Sequence, residues 1–299
     1  MKATMERSNV IPVSGGGNPA RDERTIGAIL LHAGRLTFEN AEKISQLQHG
    51  QGIRFGDAGL QLGLLTAADI ELALARQFDC PYLVPGESKV NQQVIAAYAP
   101  FSQRATAISA LRGQLMQRWF DTTAECKAIA IVSADRCEGR SFIAANLAVA
   151  FSQLGKRTLL IDADMRNPVQ HTLFGINNRS GLSAMLSGRA VADAVIHRIP
   201  GLLGLSVLPA GAQPPNPLEL LGRPLFPQML ADCAVNFDVI ILDTPAATKF
   251  TDAPCIAARA GAALLVARKG TTRISRAHGT VEAVSHAGAP VVGSVLNNF

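Results

Sequence analysis

The chain has 299 residues, 48% of them hydrophobic, 17% charged and 5% aromatic, with a net charge of +5. That is length for about two domains and enough apolar content for a full core. The charge is mild and spread out, its densest group being Arg268, Lys269, Arg273 and Arg276, so no concentrated basic face marks a nucleic-acid binder.

Residues 1–23 are polar, carry SGGGNPARDER and lack the apolar stretch of a signal peptide. They are expected to be disordered. No apolar run reaches the roughly 20 residues of a membrane span. The cysteines at 80, 126, 137, 233 and 255 form no CxxC pair, which points to reduced thiols and a soluble, cytoplasmic protein.

An internal repeat follows. IGAILLHAGRLT begins at Ile26 and FGDAGLQLGLLT at Phe55, an offset of 29 at which Gly34 matches Gly63 and Thr37 matches Thr66. Thr66 with Asp69 is a helix-start signature, and Thr37 stands at the equivalent place. Each copy is therefore a short helix, a glycine turn and a second helix, giving a small helical domain over 24–83. Residues 84–104 are expected to form a linker. Ile108, Leu111, Leu115 and Trp119 then recur at helical spacing and open a second domain over 105–299.

In that domain KAIAIVS, RTLLIDAD, LSVLPAG, DVIILDTP, ALLVARKG and VVGSVLN are short apolar runs separated by helix-length segments. Strands buried on both faces and alternating with helices predict an α/β domain with a parallel sheet, its ligand beyond the carboxyl ends of the strands. The loop 134–140 lies between the first strand and the helix opening at SFIAANLAVAF. A loop in that position offers backbone N–H groups and the positive end of a helix to phosphate. Only Gly139 and Ser141 fit GxxxxGK[ST], because Arg140 replaces the lysine and Ala134 the first glycine. Asp162, Asp164 and Asp243 sit at strand ends, where they could form a metal-and-water cage with the Ser141 hydroxyl.

The ordered set SADRCEGRS, LLIDADMRNP, DVIILDTPA, LVARKGTTR and VVGSVLNNF resembles the bacterial tyrosine kinase family, relatives of the MinD/ParA ATPases. The likeness covers about 105–299 and is strongest to the EpsG-type chain-length-determinant kinases of exopolysaccharide synthesis. The resemblance implies ATP with Mg²⁺ as cofactors and a DxDxR motif at Asp162, Asp164 and Arg166. It implies a catalytic set of Arg140, Asp162, Asp164 and Asp243, with Ser141, Asp162 and Asp243 holding the metal. The nucleotide would lie on Cys137, Glu138, Gly139, Arg140, Ser141, Phe142 and Arg166, with Asn297 at the adenine. The repeat domain resembles the N-terminal module of type II secretion ATPases.

The sequence departs from the kinase pattern at Arg140, at Cys137 in place of a loop glycine, and in the assembly helix, where Thr106, Ser109 and Arg112 replace ExxRxxR. No tyrosine cluster follows the last strand; the only tyrosines are Tyr82 and Tyr98. Tyr98 is expected to be the reachable one and Tyr82 to pack in its own domain. The expected function is a kinase-like regulator of polysaccharide chain length and export. It would be a monomer or dimer held at the membrane only through a transmembrane chain-length protein, with a tyrosine-bearing protein as substrate. A non-catalytic nucleotide switch is the alternative. A MinD- or ParA-type partitioning ATPase fits less well, since residues 133–139 contain no lysine.

Overall fold

The computed structural model describes residues 25–78, 81–123 and 127–298. The expected disordered segment 1–23, Cys80, Cys126 and Phe299 lie outside the described residues. Contacts divide the chain into two compact units, Met1–Asp79 and Cys80–Phe299.

The first unit repeats its architecture at the spacing of its sequence. Short helices Ile26–His32 and Phe55–Gln61 precede longer ones, Phe38–Gln51 and Ala67–Gln77. Each turn between them uses a left-handed glycine, Gly34 at φ 67° and Gly63 at φ 65°, a conformation that costs glycine no Cβ clash. Thr37 and Thr66 both cap the following helix, and only Thr66 completes a capping box, with Asp69.

The second unit is a seven-stranded sheet in the order β3-β4-β2-β5-β1-β6-β7. Its strands are β1 (Ala128–Ser133), β2 (Thr158–Asp162), β3 (His197–Arg198), β4 (Leu205–Leu208), β5 (Val239–Asp243), β6 (Ala263–Arg268) and β7 (Val291–Asn297). All neighbours pair in parallel except β3, which runs antiparallel to β4. The six apolar runs are thus six strands, and β3 is an edge piece that pairs through only His197 and Arg198. Alternation explains the apolar runs. In β1, Ile129 and Ile131 enter the core on one face of the sheet, with Leu160 and Ile241. Ala130 and Val132 enter the other, with Ile161 and Leu242. Each such large side chain taken from water stabilises the fold by about 1.5–3 kcal/mol.

The helix Arg140–Gln153 is buried along nearly its whole circumference, so it needs cover on the side away from the sheet. Residues 81–120 supply it. The expected linker 84–104 therefore belongs to the second unit: Val90, Val94, Ala96 and Ala97 are buried in its core. Polar side chains on the helix hold this cover down. Asn146 Oδ1 accepts the Ala96 N–H at 2.9 Å, and Gln153 Nε2 donates to the carbonyls of Pro81 and Ala96. The amphipathic helix predicted from Ile108 onward spans Gln103–Leu115, and Trp119 beyond it donates to the Ala128 carbonyl.

Candidate nucleotide site

β1 ends at Ser133 and the covered helix begins at Arg140, so six residues must turn the chain at the carboxyl end of the sheet. Two left-handed residues make the turn, Cys137 at φ 62° and Gly139 at φ 92°. Cys137 is the only non-glycine with positive φ among the described residues. No side chain caps the helix at Gly139, which leaves its first-turn N–H groups and dipole directed at the space above the loop.

Neighbouring segments clamp the loop. The Asp135 N–H donates to Glu138 Oε2, and Thr272 Oγ1 donates to the other Glu138 oxygen. Arg276 Nη1 lies 2.8 Å from both Asp135 oxygens, and Thr248 Oγ1 adds a bond at 2.9 Å. The Arg276 hydrogen bond is the main reason the Asp135 carboxyl is held below its usual range. Asn297 Nδ2 donates to the Glu138 carbonyl at 3.4 Å. The basic group around Arg276 thus begins as a loop clamp. Beside the loop lies a cavity of about 480 Å³, lined by Cys137, Glu138, Gly139, Arg140, Ser141 and Phe142 with Asn91, Asn146 and Thr172. A larger cleft of about 1080 Å³, between Met185, Arg198, Leu203 and Phe237, touches neither the loop nor the acids.

Under the loop the structure brings together Arg140, Asp162, Asp164 and Asp243. Asp162 and Asp243 are register partners on β2 and β5. Asp162 is fully buried, and its oxygens accept N–H groups from Asp164, Val169 and Gln170. It therefore anchors the turn after β2. Burial pushes its carboxyl well above the usual range, and the Asp243 charge beside it adds to this. Burial also raises Asp243, against the pull of the Arg140 guanidinium. The Ser141 side chain hydrogen-bonds Asp243, and Gln170 Nε2 donates to its Oδ2 at 2.8 Å.

Arg140 turns inward. Its Nη1 donates to Ser133 Oγ at 2.6 Å, Nη2 lies 3.5 Å from Asp164 Oδ2 and Nε 3.4 Å from Asp243 Oδ1. Among the described residues no group of three or more His, Cys, Asp or Glu is arranged to hold a metal ion. The expected cage of Asp162 and Asp243 with Ser141 does not fit a divalent cation as it stands, because N–H donors take up one acid and a guanidinium faces the other. Arg166 does not line the cavity beside the loop. It forms a two-pronged ion pair with Asp252, Nε to Oδ2 at 2.6 Å, and its guanidinium lies 4.0 Å over the Phe250 ring. Gln170 lies in none of the quoted motifs, and tertiary packing alone brings it to Ser141 and Asp243.

A parallel sheet whose first strand runs through a clamped loop into an uncapped helix, with acids at neighbouring strand ends, defines a P-loop nucleotide-binding domain. Residues 129–299 match the family model of the CobQ/CobB/MinD/ParA nucleotide binding domain. Tyrosine-protein kinase YwqD of Bacillus subtilis is 32% identical over 210 residues, 70% of this chain and 87% of YwqD. Tyrosine-protein kinase Wzc of Salmonella typhimurium is 30% identical over 83% of this chain, which spans only 34% of Wzc. The solved kinase domain of Escherichia coli tyrosine kinase ETK superposes with a TM-score of 0.65 at 32% identity, covering 69% of this chain and 79% of that domain. Within the nucleotide-binding class, the chain belongs to the bacterial tyrosine-protein kinase family.

Proposed function

We propose that the second unit binds ATP at residues 134–141 and transfers its γ-phosphoryl group to a tyrosine hydroxyl on another protein. The observation that carries this reading is the clamped loop at an uncapped helix start, set directly over Arg140, Asp164 and Asp243. Phosphoryl transfer needs positioning and charge neutralisation more than covalent help. The loop N–H groups would hold the phosphates, Arg140 would neutralise developing charge, and Asp164 would accept the tyrosine proton. Phe142 lines the cavity, while Asn297 reaches the loop from the β7 side and would contact the base. We further place the chain among the EpsG-type regulators of exopolysaccharide chain length and export, in the cytoplasm. Among the described residues no helix is long and apolar enough to cross a membrane. The chain's partner in this reading is a transmembrane chain-length protein. The first unit would serve as a docking module like that of the type II secretion ATPases.

A non-catalytic nucleotide switch is the second reading, favoured by the closure of Asp164 and Asp243 against Arg140. Transfer of labelled γ-phosphate to a tyrosine-containing polymer decides between the two. The kinase reading expects transfer by the parent and its loss in Asp164→Asn, with nucleotide binding retained. A parent that binds ATP but labels no tyrosine, with or without the cytoplasmic end of a membrane partner, leaves the switch.

A further inference from the structure

Two of the strand-end acids, Asp164 and Asp243, face one and the same side chain, Arg140. Asp243 Oδ1 and Arg140 Nε are both buried without a hydrogen-bond partner, and they face each other at 3.4 Å. The same guanidinium lies 3.5 Å from Asp164 Oδ2. Both distances exceed those of a hydrogen-bonded ion pair, so Arg140 neutralises these acids without being locked to them. Its one firm bond is to Ser133 Oγ, at 2.6 Å. Without that charge, the two buried carboxylates of Asp164 and Asp243 would repel each other.

We propose that Arg140 is a built-in cation, standing between Asp164 and Asp243 where a divalent ion would otherwise bind, so that this chain holds nucleotide phosphate with little dependence on Mg²⁺. The inference rests on the nucleotide reading above. A guanidinium spreads one charge over a planar fork, which can meet Ser133 and both acids on some edges and offer another to phosphate. A lysine ammonium is a compact point charge and cannot bridge all of them. A fixed positive charge at this distance also opposes entry of a second cation.

Binding of a fluorescent ADP analogue to the full chain, in Mg²⁺ and in EDTA, tests this on the parent and on Arg140→Lys. The parent's Kd changes by less than about threefold between the buffers, whereas Arg140→Lys loses about tenfold or more in EDTA. Thermal unfolding without nucleotide gives a second readout. Mg²⁺ raises the midpoint of Arg140→Ala, whose acids have lost their cation, and leaves the parent unmoved. A parent as dependent on Mg²⁺ as Arg140→Lys, or stabilised by Mg²⁺ as much as Arg140→Ala, overturns the built-in cation and leaves nucleotide binding standing. If neither protein binds the analogue in either buffer, the nucleotide reading fails and the built-in cation falls with it.

Discussion

Cys137 holds a backbone angle that every other described residue of its kind gives to glycine, φ 62°. An L-residue there costs about 1–2 kcal/mol, partly offset by the extra chain freedom a glycine would lose on folding. Cys137→Gly should therefore gain a net stability of about 0.5–1 kcal/mol in chemical denaturation and bind nucleotide more tightly. A variant no more stable than the parent would show that the loop carries no strain. At Asp162, the exchange to Asn puts an amide nitrogen where an oxygen must accept backbone N–H groups. We expect a loss of about 1–3 kcal/mol; an unchanged denaturation midpoint would refute the anchoring role. That Cys137 stands where a glycine is expected was legible only through the family resemblance, since position 137 is unrestricted in GxxxxGK[ST]. The inward turn of Arg140 was not, since no local rule tells a side chain which of two charged neighbourhoods to enter. Arg166 was likewise legible as part of a motif, but its partner Asp252 lies 86 positions away.

The helical repeat was readable because glycine turns and threonine caps act locally, and the matched residues recur at one offset. Its two halves differ in their caps. Thr66 accepts the Asp69 N–H and Asp69 returns a bond to the Thr66 N–H, while Thr37 has only the bond from the Asn40 N–H. Thr66→Ala should cost about 1–2 kcal/mol and Thr37→Ala about half that, read from thermal melts of the full chain; equal losses would deny the capping box any added role. In the segment 84–104, expected to form a linker, Val90, Val94, Ala96 and Ala97 pack in the core of the second unit, and the contact of Ala96 with Asn146, 50 positions on, is one that no local rule shows. At the amino ends of β2 and β5, Arg157 forms a two-pronged pair with Asp238, and that hydrogen bonding is the main cause of the lowered Asp238 carboxyl. A carboxyl lowered by folding adds stability that is complete above its unfolded value of 3.8 and is lost as pH falls through the folded value. Asp238→Asn should thus lower the melting temperature at neutral pH and flatten the decline on acidification below that value. A variant with the parent's acid profile would contradict the linkage.

At the scale of the whole molecule, two side chains singled out in the sequence, Arg112 and Tyr98, are spent on contacts inside the second unit. Arg112, the residue kept from the assembly motif, donates to the Ala150 carbonyl at 2.7 Å. Tyr98, expected to be reachable, is half-buried against the core and donates its hydroxyl to the Val90 carbonyl. The second unit also contains Tyr82, since the division falls after Asp79. After incubation with ATP, mass spectrometry should find no stoichiometric phosphate on Tyr98; full modification there would mean that this segment leaves the core. The phosphate site itself is tested most directly by titration calorimetry with ATP on the full chain and on Arg140→Ala. The parent should take up a single nucleotide per chain, with affinity reduced further by Arg140→Ala than by Arg140→Lys. No saturable binding by the parent, or equal binding by all three proteins, would contradict a phosphate site at residues 134–141.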